Sequence, residues 1–112
     1  MNLVSETIDH ALVVRVCDAR IDAAVAIQFK DRMREVTEGG AQRIVLDLSR
    51  VDFIDSSGLG AIVASMKQLG GRRLDLAGLS PTVQKVFRLT RMDTIFAIHP
   101  DVGAALERGD AA

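Results

Sequence analysis

The residues best placed to do chemistry lie in one short run, Phe53-Ile54-Asp55-Ser56-Ser57-Gly58-Leu59-Gly60. Aspartate and serine side chains satisfy the free amides of a first helical turn, and glycines admit close approach of backbone or of a partner. Two readings fit. The plain one is a well-capped helix. The other takes the positive end of the helix dipole and its unpaired amides as a seat for an anion, including a phosphate carried covalently on a serine. If Ser56 caps the helix its hydroxyl is engaged, and Ser57 in the first turn is left pointing outward as the better phosphate acceptor. Asp55 reads as a capping or turn residue with a partner contact as a second role, and Gly58 and Gly60 read as sites of close packing or partner approach.

Other chemistries find little support. A serine at a strand-to-helix turn invites comparison with hydrolases, but the spacing G-x-S-x-G fails because Ile54 and Asp55 stand two residues before Ser56 and Ser57. The two histidines are expected in exposed loops, His10 in a turn and His99 beside Pro100. Gly58-Leu59-Gly60 is followed by Val63 where a dinucleotide site has its third glycine, and no P-loop string surrounds Lys67. No histidine and cysteine pair has metal-ligand spacing, so neither metal nor cofactor is expected. Cys17, in an apolar alternating run, is expected to be a buried, inert thiol. The chain is not expected to be an enzyme.

The elements that must position the loop follow from periodicity. Leu3 to Ile8 and Ala11 to Cys17 read as strands around an Asp9-His10 turn that lacks the usual glycine. Asp22 is expected to cap a helix carrying Ala26, Phe29, Met33 and Val36 on one face and stopping at Gly39-Gly40. Arg43 to Leu48 reads as a strand, Leu59 to Leu69 as a helical stripe ending at Gly70-Gly71, and Arg73 to Ala77 as another strand. Ser80-Pro81 opens a helix by the pairing of an N-cap with a first-turn proline. Thr94 to Ile98 is expected as a last strand and Pro100 to Glu107 as a last helix. Strands alternating with helices predict an α/β fold, a small mixed sheet of four to five strands, parallel in its core, with about four helices.

With 112 residues the chain has room for one core, so residues 1–112 are expected as one domain, with its core at about 3–107 and a frayed tail at 109–112. Its 48% apolar and 26% charged residues are those of a globule. Fourteen basic against fifteen acidic side chains supply no field that would draw it onto nucleic acid. The longest uncharged run, Ser56 to Met66, is short of the roughly 20 residues a membrane span needs, and the start lacks the basic and apolar blocks of a secretory signal. A cytoplasmic location is expected, as a monomer or a weak dimer.

At Ile44-Val45-Leu46-Asp47-Leu48 and Asp55-Ser56-Ser57-Gly58-Leu59-Gly60 the sequence resembles the STAS family, and within it the stand-alone bacterial anti-sigma-factor antagonists. Arg20-Ile21-Asp22 and the stretches Leu89-Thr90 and Ile95-Phe96 are similar as well, so the resemblance runs from about Leu3 to Leu106. It departs from the family pattern at Ala19, where a glycine is common, and at Arg91-Met92, where glycine and leucine are usual. The resemblance implies a STAS-like fold and a partner-switching role. The unphosphorylated form binds an anti-sigma factor that is also a serine kinase and frees a sigma factor, phosphorylation of Ser57 causes release, and a serine phosphatase resets the cycle. Asp55, Ser56, Gly58, Leu59 and Gly60 would form the phosphorylation loop and partner contact, with Asp22 at its edge. The alternative is a STAS interaction module independent of phosphorylation, a scaffold or an accessory subunit of a transporter.

Overall fold

The structure, a computed structural model, describes residues 1–110, with side chains described through residue 107. Two antiparallel strands, β1 (Leu3–Ile8) and β2 (Ala11–Val16), open the chain. The turn between them has positive φ at both Asp9 and His10, 50° and 67°. That is the handedness a two-residue hairpin needs, reached here without glycine. After β3 (Arg20–Ile21) and α1 (Ala26–Val36) come β4 (Arg43–Asp47), β5 (Phe53–Ile54) and α2 (Ser56–Gln68). The chain continues through β6 (Arg73–Ala77), α3 (Pro81–Leu89), a 3-10 turn at Met92–Thr94, β7 (Ile98–His99) and α4 (Val102–Asp110). The frayed end expected at 109–112 falls at this margin: residues 111–112 lie outside the described part.

The main sheet has the order β1-β2-β4-β6-β7, parallel everywhere except at the β1–β2 hairpin. This is the mixed α/β sheet that the alternation of strands and helices predicts. Its two faces differ in kind. Val14, Val16, Ile44, Leu46, Leu74 and Leu76 join Phe29, Met33, Ile62, Val83 and Phe87 from α1, α2 and α3 in one buried cluster. Each large apolar side chain fully buried there contributes about 1.5–3 kcal/mol. The opposite face holds a smaller cluster of Ala11, Val13, Val45 and Ala77 under Ala105 of α4. It also carries ion pairs, because the alternation that sends Ile44 and Leu46 inward sends Arg43 and Asp47 the other way. Asp47 accepts from Arg15 Nε at 3.2 Å. The buried Asp75 accepts from Arg43 Nη2 at 2.9 Å, Arg73 Nε at 2.9 Å and His99 Nε2 at 3.0 Å.

Several expectations are corrected. His99 is buried on β7 against Asp75 and is not an exposed loop residue. Thr94 to Ile98 is not a strand. Met92–Thr94 winds into a 3-10 turn, because Phe96 is drawn into the core edge-on to Phe87, 6.1 Å between ring centroids, and only Ile98–His99 pairs with β6. Cys17 lies just past β2 and is half-buried. Arg91, at one of the two departures from the STAS pattern, takes a left-handed φ of 61° where a glycine would be unstrained.

Candidate functional site

A second, two-stranded sheet positions the loop. β3 and β5 run parallel with Arg20 opposite Phe53 and Ile21 opposite Ile54. Alternation buries the two isoleucines and leaves Arg20 and Phe53 outside. An aspartate follows each strand, Asp22 after β3 and Asp55, just before α2, after β5.

Asp55 is the N-cap of α2, with extended backbone (φ −98°, ψ −175°). One carboxylate oxygen accepts from the Gly58 amide at 2.8 Å and the other from the Ala23 amide at 3.1 Å. One side chain thus closes the helix and ties it to the segment after β3. The Gly58 amide is the main cause holding the Asp55 carboxyl below the usual carboxylate range; partial desolvation opposes it, and the Ala23 and Ser57 amides add to it. The cap is therefore Asp55 and not Ser56, which moves both serines into the first turn. Ser56 and Ser57 are exposed, and among the described residues neither hydroxyl makes a hydrogen bond. Gly58 packs tightly on β3, Leu59 is half-buried, and Gly60 is exposed with open space around it.

Asp22 does not cap α1, whose N-cap is Val25, with no side-chain bond. Its carboxylate instead accepts from the Ala24 amide at 3.1 Å and from Arg20 Nε at 3.3 Å. Competition from this local turn delays the helix by three residues. The Arg20 guanidinium lies 4.1 Å from the centroid of the Phe53 ring, within cation–π range. Phe53 stands at the head of the serine run and Arg20 beside Asp22, but the sequence assigns neither a role, although a signal exists: Arg20-Ile21-Asp22 and Phe53-Ile54-Asp55 share the pattern of an outward residue, an isoleucine and an aspartate.

The surface is thus an open hydroxyl pair on a firmly capped turn, flanked by an exposed ring, a guanidinium and two carboxylates. His10 sits in the β1–β2 turn at the far end of the parallel strands from the start of α2, and His99 is engaged by Asp75, so neither approaches the serines as a base. Among the described residues no cluster of histidine, cysteine or acidic side chains could hold a metal ion, and no helix is long and apolar enough to cross a membrane.

This fold, with its capped serine turn, is that of a STAS domain, and the family profile matches residues 2–105. The chain belongs to the STAS domain family. It is 32% identical over 100 residues to BtrV of Bordetella bronchiseptica, named a candidate anti-sigma factor antagonist, covering 88% of this chain and 85% of that one. It is 37% identical over 82 residues to the anti-sigma-B factor antagonist of Listeria monocytogenes, covering 70% of each. Among solved structures, an anti-sigma factor antagonist from Mycobacterium paratuberculosis superposes with a TM-score of 0.86 at 27% identity, over 96% of this chain and 92% of that one.

Proposed function

We propose that this chain, acting as one domain in the cytoplasm, is an anti-sigma-factor antagonist that works by partner switching. In its unphosphorylated form it binds an anti-sigma factor that is also a serine kinase, and the captured sigma factor is freed. The kinase phosphorylates Ser57, the antagonist lets go, and a serine phosphatase restores it. The chain is then a ligand and a substrate, not a catalyst. Asp55, Ser56, Gly58, Leu59 and Gly60 form the loop the kinase reads, and Asp22 lies at the edge of the contact.

The observation that carries this reading is the exposed hydroxyl of Ser57, which makes no hydrogen bond among the described residues, on a turn whose Gly58 amide is held by Asp55. A phosphate adds roughly −1.5 to −2 charges at a helix start, where the free protein tolerates it. In a contact surface the same group must lose its water, and a cost of about 4 kcal/mol lowers affinity roughly a thousandfold. Release then follows from the interface and leaves the fold intact. The names of the Bordetella and Listeria relatives support the partner class.

Incubating wild type, Ser57→Ala and Ser56→Ala with the cognate kinase and ATP tests the assignment. Label is expected on wild type and Ser56→Ala and lost only from Ser57→Ala. Label retained on Ser57→Ala refutes it.

A further inference from the structure

Arg20 is held loosely for so charged a group. Its side chain is 59% exposed, its Nε donates to one oxygen of Asp22 at 3.3 Å, and its guanidinium carbon lies over the Phe53 ring. Among the described residues its two Nη nitrogens have no hydrogen-bond partner. The strand that carries it is pressed against the serine turn, since the Ile21 carbonyl touches Gly58 and also accepts from the Asp55 amide at 3.3 Å. Arg20 and Ser57 each stand one residue from this contact, and with successive α-carbons about 3.8 Å apart their own α-carbons lie within roughly 13 Å. An arginine and a phosphoserine reaching toward each other span that gap.

We infer that Arg20 is the internal counter-ion of a phosphate on Ser57, leaving Phe53 and Asp22 to clamp it. The inference rests on the phosphorylation reading above and adds how the modified surface is rearranged. A phosphate dianion offers about twice the charge of the Asp22 carboxylate and accepts both arms of a guanidinium fork. Phosphorylation then alters the partner surface twice: it adds charge at Ser57, and it strips Arg20 from the Phe53 ring. The carboxylates tied to this turn and to β3, Asp55 on the α2 cap and Asp22 beside Arg20, are negative, and Arg20 is the cation carried by the strand that touches the turn.

The test uses the full chain with phosphoserine installed at position 57 during synthesis, so that no kinase is needed. Phosphorus NMR follows the second ionisation of the phosphate in wild type and in Arg20→Gln. The expected result is an apparent pKa higher in Arg20→Gln by roughly half a pH unit, as loss of an exposed ion pair gives, with Arg20→Lys in between. Equal values in wild type and Arg20→Gln overturn the inference. If Arg20→Gln does not fold, wild type alone decides. The ring-current shielding of the Arg20 side-chain protons by Phe53 is expected to vanish on phosphorylation, and its persistence overturns the clamp. Failure of the kinase to label Ser57 would instead sink the functional reading while leaving this titration interpretable.

Discussion

A methyl group added to Gly58 would lie 2.0 Å from the carbonyl oxygen of Ile21. That oxygen is backbone and cannot rotate away, so the serine turn and β3 are locked at a spacing only glycine permits. Gly58→Ala is expected to destabilise by about 3 kcal/mol, as overpacking of a tight contact does, read as a lower urea midpoint. Gly60 is the control. A methyl there meets nothing within 4 Å, and Gly60→Ala should stabilise the helix by about 0.5–1 kcal/mol. Equal midpoints for the two variants would contradict the packing account.

Asp55 joins α2 to the segment after β3 through two amides, so its removal loosens both. Asp55→Ala should lower the melting temperature at neutral pH. The sign of its pH dependence follows from a carboxyl held below its ordinary value of 3.8. Its stabilisation is complete above 3.8 and is lost as pH falls through the lower folded value. The gap between wild type and Asp55→Ala should therefore be constant from pH 5 to 7 and close below about pH 4. A gap that widens in acid would show that the cap works by something other than its charge.

On the α4 face, Asp75 is the shared acceptor of Arg43, Arg73 and His99. Burial pushes its carboxyl up, and the hydrogen bonds from Arg73, Arg43 and His99 outweigh burial and leave it below the ordinary carboxylate range. Asp75→Asn strands the guanidinium groups of Arg43 and Arg73 and should cost about 3 kcal/mol by chemical denaturation. The loss should be full at neutral pH and fade as pH drops below 3.8, because wild type then loses the same charge. A neutral substitution would mean that solvent already satisfies the arginines.

Most of the main sheet was legible because β2, β4 and β6 alternate or run apolar over five or six residues, and α2 and α3 carry clear stripes closed by Gly70 and opened by Ser80. The β3–β5 sheet was not, because two residues per strand give no periodicity to detect. The sequence places Arg43 and the Arg73 to Ala77 run that holds Asp75 in strands and His99 in an exposed loop, with no pairing among them foreseen. A face covered by only one short helix leaves room for buried ion pairs, and nothing local in the sequence says which face that is. Asp55 was legible as a cap, but Ser56 was its competitor, and only the extended backbone at Asp55 decides between them.

If release is an interface effect, the phosphorylated and unphosphorylated proteins should melt within a few degrees of each other in calorimetry. Ser57 is exposed, and among the described residues its hydroxyl makes no hydrogen bond that a phosphate would break. A drop of ten degrees or more would place the switch in the fold.

The most direct test is a binding titration of the anti-sigma kinase with the two forms of the protein. The account predicts affinity about a thousandfold weaker for the form phosphorylated on Ser57. Equal affinities for the two forms would contradict it.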